Sequence, residues 1–395
     1  MKSKRAIGAV ILLALFMGAL SFIKFDHCYN KSWVVPDVYT HACYSDIPAL
    51  YGARDLVNHT WPYSSATNSV EYPPITGVVM WATSLITPHG SENFHMYFLI
   101  NIFLLLLLFA GSALLVWYMN PGSWHLFVIA PAVVASLFIN WDMWAVLTAL
   151  AAIYWFDQKK YDYSALALGV SIATKFFPIV LLIPVVLIFW KRSHIKSAIR
   201  YLGISLGLWL LINLPFALST PSGWWRFFKL NGSRSADFGS IYYSSQLLGV
   251  SIPAINTSSV LLFFIGSAGF VIFTLQKEYV PNLAQIAFIE VAIFTLASKV
   301  YSPQYILWLT PLAVIALQKK DRSAFWIWQG AEIMYHFAVW EYLATYSGGH
   351  FGLPSRGYAV ISMLRIAALI FFVLKKAPST REVPAQEHRF SLSKP

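Results

Sequence analysis

Long apolar runs recur along this chain and decide what it can fold into. From Asn93 to Trp141 there is no Asp, Glu, Lys or Arg, and similar runs follow at intervals as far as Leu374. A bilayer's hydrocarbon core takes about 20 mostly apolar residues per helix, and fewer where a helix is packed deep in a bundle. Across all 395 residues, 58% are hydrophobic and 11% charged. Soluble domains carry about 25% charged residues, so no soluble core accommodates this much apolar surface. The expected class is an all-α polytopic membrane protein.

The net charge of +11 does not point to nucleic acid. Basic residues fall in short clusters between apolar runs, at Lys191-Arg192, Lys319-Lys320 and Lys375-Lys376. That is how a multi-pass chain marks its cytoplasmic side. Three basic residues within Met1–Arg5 precede an apolar run over Ala6–Ile23. The run is long for a signal peptide and no small-residue cleavage site follows, so it reads as an uncleaved first helix that starts in the cytoplasm.

About twelve spans are expected. After the first they cover Phe94–Met119, His125–Phe138, Met143–Phe156, Ser164–Lys175, Ile179–Trp190, Ala198–Leu218, Ser258–Leu275, Leu283–Ser298, Pro303–Leu317, Ser323–Ala344 and Ser355–Leu374. Ile75–Thr87 is apolar but short, and is expected to lie in or dip into the interface. With this topology the cytoplasmic side holds about twice as many Lys and Arg as the outer side, the expected bias. Both termini are then cytoplasmic. One transmembrane domain fills 1–376, with long outer loops over 24–93 and 219–257. The polar tail over 377–395 is expected to be disordered.

Both cysteines of the chain, Cys28 and Cys43, fall in the first outer loop. That compartment permits a disulfide, although two free thiols remain an alternative. The topology gathers polar residues at one membrane face. The first loop holds Asp37, Asp46, Arg54, Asp55 and the Glu71-Tyr72-Pro73-Pro74 turn. Asn140-Trp141-Asp142 and Lys175 follow, then Trp224-Trp225-Arg226 with Lys229 and Arg234, and last Lys299 to Tyr305 with Tyr301 and Gln304. Carboxylates beside cations suit a general base next to an anionic leaving group.

Each residue has a plainer reading. Ser45-Asp46-Ile47-Pro48 looks like a helix start, so Asp46 is open to a capping role. Asp142 opens a span and reads as an N-cap. Lys175 and Lys299 at span ends fit snorkelling, and Arg226 and Arg234 beside aromatics fit interface anchoring. Glu290, Glu332, His336 and Arg365 lie inside spans, where ionisable groups are usually paired or functional. No His, Cys or Asp cluster shows metal-ligand spacing.

Taken in order, Cys43-Tyr44-Ser45-Asp46-Ile47, Glu71-Tyr72-Pro73-Pro74-Ile75-Thr76-Gly77, Asn140-Trp141-Asp142, Ala173-Thr174-Lys175 and Ser298-Lys299-Val300-Tyr301-Ser302-Pro303-Gln304-Tyr305 resemble actinobacterial glycosyltransferases of the GT-C fold. The nearest pattern is the mannosyltransferase-like group of glycosyltransferase family 87. The resemblance covers about residues 1–320. It implies a multi-pass enzyme of the plasma membrane, with short juxtamembrane helices in its long first outer loop. Its activity would be inverting transfer of a sugar, foremost mannose, from a polyprenyl-phosphate donor. The acceptor would be a glycolipid, lipoglycan or other glycan on the extracytoplasmic face.

Asp46 matches the family's base best, with Asp37 as the alternative. Arg226, Arg234, Lys175, Lys299 and Arg365 are candidates for the donor phosphate, the arginines favoured by bidentate geometry. Glu71, Tyr72, Asp142, Tyr301, Gln304 and His336 are candidates for substrate contact. The resemblance implies no cofactor and no metal, with a hard cation between Asp46 and Asp142 left open. The partners would be the donor lipid, the acceptor and the bilayer. A pentosyl transferase of the same fold is a close alternative. A secondary transporter or lipid flippase is a distant one, since no paired halves are visible.

Overall fold

The computed structural model describes residues 4–376, and the tail over 377–395 lies outside them. Among the described residues the chain forms α-helices, short 3-10 turns and loops, with no strand. The helix α1 (Lys4–Asn30) leads into a first loop with three short helices, α2 (Asp37–Thr40), α3 (Asp46–Ala53) and α4 (Pro74–Leu85). Next come α5 (Phe94–Met119), α6 (His125–Ile129), α7 (Pro131–Ser136), α8 (Asp142–Asp157), α9 (Tyr161–Thr174) and α10 (Leu182–Lys191). The second half holds α11 (Ile195–Ser219), α12 (Pro221–Ser233), α13 (Ile241–Leu247), α14 (Ile255–Leu275), α15 (Leu283–Ala297), α16 (Ile306–Ile315), α17 (Arg322–Tyr346) and α18 (Ser355–Lys376).

Five of these, α1, α5, α11, α14 and α18, have the length and hydropathy of membrane-crossing helices. Large apolar side chains such as Leu12, Phe103, Leu211, Ile265 and Leu374 stand exposed on all five. In water, apolar faces of this extent would drive association; against lipid they are satisfied.

Several expected spans take a different form. Residues 125–138 are two helices, because the chain breaks at Ala130 before Pro131. A residue preceding proline is pushed out of the α region. The stretch 179–190 begins as a 3-10 turn over Phe177–Leu181 before α10. At twelve residues, α4 is too short to cross, in keeping with its reading as an interfacial element. The first helix runs seven residues beyond Ile23, so the first loop opens after Asn30 and not at Lys24.

The segment after α6 is where the end of α1 and the first loop dock. Ser21 Oγ donates to the Val134 carbonyl at 2.7 Å and Lys24 Nζ to that of Ala135 at 3.0 Å. Ser45 Oγ donates to the Phe138 carbonyl at 2.7 Å, and the Asp46 N–H to that of Ile139 at 2.7 Å. A continuous helix would have consumed those carbonyls internally. Because α7 ends at Ser136, the Val134 and Ala135 carbonyls are free to bind the end of α1, and those of Phe138 and Ile139 to hold the start of α3.

Elsewhere, close backbone approach seats the second outer loop. At Gly223 of α12, any side chain would overlap the Tyr63 carbonyl in the first loop. Gly239 has φ +75°, a conformation open to glycine without strain, and it packs on the Tyr301 carbonyl and the Tyr335 hydroxyl.

Candidate active site

A cavity of about 680 Å³ opens between the first loop, α12, the 299–305 segment and α17. Asp46, Glu71, Tyr72, Lys175, Arg234 and Gln304 line it, as does Arg54. Asp37, Asp142, Arg226, Lys299, Tyr301, His336 and Arg365 do not.

Asp46 is the first residue of α3, and the capping role falls to its neighbour. Ser45 is the N-cap, its hydroxyl accepting from the Ile47 N–H at 3.2 Å. The Asp46 carboxylate is therefore free to face the cavity. It accepts from the Tyr72 hydroxyl at 3.2 Å and from the Tyr44 hydroxyl. Burial raises its pKa above the usual carboxylate value; the two tyrosines and the charge of Lys175 pull the other way without cancelling it. Both tyrosine hydroxyls are in turn held protonated, Tyr44 chiefly by the charge of Asp46 and Tyr72 chiefly by burial.

Lys175 does not snorkel. Its Nζ lies 2.5 Å from Asp142 Oδ1, with its side chain 17% exposed and that of Asp142 fully buried. The ammonium also sits 4.6 Å from the Tyr72 ring centre, a favourable cation–π placement. Asp142 is not an N-cap either: Oδ2 accepts from Trp308 Nε1 at 2.7 Å, so both of its oxygens carry protein donors. Its backbone N–H is satisfied by Asn140 Oδ1 at 3.0 Å. Asp142 thus lies one layer behind the cavity wall and fixes Lys175, the residue that reaches it. Thr76 Oγ1, donating to the Thr174 carbonyl at 2.6 Å, ties α4 to the same corner.

Glu71 gathers two arginines. Arg54 grips it with both Nε, at 2.9 Å, and Nη2, and Arg226 Nη2 donates to Oε1 at 3.1 Å. Burial works to raise the Glu71 pKa, but the two guanidiniums outweigh it and hold the group below its usual value. Arg226 is therefore a clamp joining α12 to the first loop, and Arg54 is the guanidinium of the pair that reaches the cavity. Nothing in the sequence marks Arg54 for this place, since a charge in a loop rich in polar residues has no local partner pattern.

Arg234 lines the cavity and pairs with Asp237 at 2.5 Å. Lys299 is turned away, its Nζ donating to the Asn231 and Arg234 carbonyls at 2.8 and 2.9 Å and to Asn256 Oδ1. It closes the end of α12 and does not meet the cavity. Arg365, expected to reach a phosphate, is wholly buried. Its Nε bonds Glu332 at 2.6 Å, Nη1 the Tyr301 carbonyl at 2.5 Å and Nη2 the Ser302 carbonyl at 3.1 Å. It stacks 3.3 Å from the Tyr301 ring centre. Tyr301 turns inward to Glu332, with its hydroxyl 2.5 Å from Oε1. His336 is also buried, between Ser136 Oγ and Trp340 Nε1 at 3.2 and 3.3 Å. These three position the walls: the 302–305 segment and Trp340 are what reach the cavity.

Cys28 and Cys43 are joined by a disulfide with Cα atoms 5.9 Å apart. The bond fastens the end of α1 to the strand of loop that delivers Tyr44 and Asp46.

The walls are unequal. Tyr39, Tyr44 and Trp340 stack on one another beside Asp46, with ring centres 5.2 to 6.3 Å apart. Phe176, Phe227 and Phe228, in mutual ring contact, form an apolar part of the wall. Tyr305, Trp308 and Phe177 make a third stack, 3.8 and 4.0 Å between ring centres.

Among the described residues, an all-helical protein with five helices long and apolar enough to cross a membrane, and a charged, aromatic-lined cavity of about 680 Å³, is the class that fold and site define. No family model matches the chain, and no curated protein matches it. Among solved structures, the crystal structure of ArnT from Cupriavidus metallidurans bound to undecaprenyl phosphate is similar, at 15% identity and a TM-score of 0.48, covering 94% of this chain and 77% of that one. An overlap that loose carries no argument about activity.

Proposed function

We propose that the chain is an inverting glycosyltransferase of GT-C type that moves a sugar, foremost mannose, from a polyprenyl-phosphate donor to a glycan or glycolipid acceptor. The observation that carries this is the placement of Asp46. A carboxylate free of capping duty, with a raised pKa, faces a cavity that also holds Lys175, Arg54 and Arg234. Of these residues, Asp46 and Lys175 fall within the ordered motifs that resemble the mannosyltransferase-like group.

The chemistry follows from the roles these groups are able to play. Asp46 takes the proton of an acceptor hydroxyl, whose oxygen attacks the anomeric carbon. The bond to the phosphate oxygen breaks with inversion, and a polyprenyl phosphate monoester leaves. General-base assistance of this kind contributes about 10²–10⁴ in rate. Lys175 and Arg234 meet the growing phosphate charge, and Arg54 is a third cation on the wall. The phenylalanine side suits the prenyl chain. The Tyr39–Tyr44–Trp340 face, next to the base, suits the apolar face of an acceptor sugar ring.

A monophosphate leaving group needs no metal in principle. Both Asp142 oxygens already carry protein donors, which favours chemistry without a cation shared between Asp46 and Asp142. In this reading the cavity opens at the extracytoplasmic face of the plasma membrane, the termini are cytoplasmic, and 1–376 is one domain. The test is an assay of purified protein in liposomes with radiolabelled polyprenyl-phospho-mannose and polyprenyl-phospho-pentoses. Transfer from the mannose donor supports the reading; transfer from a pentose donor alone corrects the sugar; inertness towards every donor overturns it.

A further inference from the structure

Asp37, the alternative base in the sequence reading, is used elsewhere. It opens α2 outside the cavity, and its carboxylate lies between two imidazoles. His27 Nε2 is 2.6 Å from Oδ2 and His41 Nδ1 is 3.1 Å from Oδ1. One ligand atom from each of the three residues lies within 4.8 Å of the others. The side chains are 36%, 35% and 44% exposed for His27, Asp37 and His41, so solvent ions reach them. His27 adjoins Cys28 and His41 stands two residues before Cys43, so the disulfide holds both imidazoles together whether or not anything binds.

We propose that His27, Asp37 and His41 form a binding site for a divalent transition-metal ion of the zinc class, separate from the catalytic cavity and independent of the glycosyltransferase reading. Two imidazoles and a carboxylate with a position left open for water are a familiar zinc donor set. Imidazole nitrogens select such ions over magnesium or calcium, which prefer all-oxygen shells. Metal–ligand bonds of about 2.0–2.1 Å in a tetrahedral shell put donor atoms about 3.3 Å apart. The two His–Asp distances fall short of that by under an ångström. The imidazoles now stack with centres 3.6 Å apart, so binding requires the rings to rotate until their lone pairs converge. Both are partly exposed and have solvent on one side in which to turn. A bound ion displaces the protons that now bridge the rings to Asp37. It ties the end of α1 to α2, which carries Tyr39 into the cavity wall.

The experiment is metal binding to the chelator-stripped full chain in detergent, using zinc by calorimetry and cobalt by visible absorption. The expected result is one saturable equivalent with a tetrahedral cobalt spectrum. Removing even an outer-shell partner of a metal costs 10–100-fold in affinity, so His41→Ala and Asp37→Asn should each weaken binding by about tenfold or more. His59→Ala, in the tilted imidazole pair His59–His89 with ring centres 3.8 Å apart, should leave affinity and spectrum unchanged. Absence of saturable binding by the wild type overturns the proposal and leaves a hydrogen-bonded cluster that closes α2. Binding that survives in both His41→Ala and Asp37→Asn also overturns it.

Discussion

The acid–base character of Asp46 is set by a balance that is open to measurement. Burial raises its carboxyl pKa, and the charge of Lys175 opposes the rise. A base acts when deprotonated, so transfer activity grows as pH climbs through that raised value. The acid limb of kcat/KM against pH should therefore lie above the ordinary carboxylate range. Lys175→Gln removes the positive charge that opposes the rise and should move the limb further up, besides weakening donor binding. A limb at an ordinary carboxylate value in both proteins would contradict this. Glu71 has the opposite balance: its two arginines hold it ionised. Glu71→Gln removes the charge that Arg54 and Arg226 share. The expected outcome is a raised KM for the donor with a smaller change in kcat, since α12 loses its clamp while Asp46 is untouched. A steady-state comparison of the two constants checks it.

At this scale the sequence was legible for Asp46 and opaque for Arg365. Ser45, with proline two residues after Asp46, announced a helix start, and the capping oxygen proved to be that of serine. An arginine inside an apolar run announces only that it needs partners. Its partners are Glu332, 33 residues earlier, and carbonyls more than 60 residues away. No local pattern encodes such distances. The His27–Asp37–His41 cluster left a partial signal, since Asp37 and His41 stand four apart, but the third member comes from α1 through a disulfide.

Single elements carry the cavity's shape. The early end of α7 at Ser136 frees the carbonyls that hold α3, and the Glu332–Arg365 pair fixes the 301–305 segment from behind. Breaking a buried ion pair strands a charge and costs about 3–5 kcal/mol. Arg365→Met should therefore lower the thermal midpoint sharply and reduce activity with it. Arg365→Met with Glu332→Leu should recover much of the stability, since two well-packed apolar residues replace the pair. Recovery of stability without activity would show that the segment's position, and not the charge, is what transfer needs. The disulfide is a second element-scale device. It closes a 15-residue separation, for which chain entropy gives about 3 kcal/mol. Cys28→Ser should lower stability by that order, measured as unfolding with and without reductant, and reductant should have no further effect on the variant.

The same scale explains which spans were legible. Helices such as α5 and α14 meet lipid along their length, so their apolar runs are long and uninterrupted. Helices α6, α7, α10 and α16 are short because they pack within the bundle, where neighbours replace length. Periodicity and run length do not separate one long span from two short helices at a site like Ala130-Pro131.

For the molecule as a whole, polar residues from Asp46 to Gln304, distant in sequence, converge on one cavity, and the apolar remainder faces lipid or fills the core. The polar tail over 377–395 lies outside the described residues. The central claim is that this convergence makes Asp46 the base of a lipid-linked sugar transfer. The direct measurement is the initial rate of sugar transfer from polyprenyl-phospho-mannose by wild type and Asp46→Asn, reconstituted in liposomes and matched for folded protein. The account predicts transfer by the wild type and a loss of about 10²-fold or more in the variant with donor affinity retained; near-normal turnover by Asp46→Asn would contradict it.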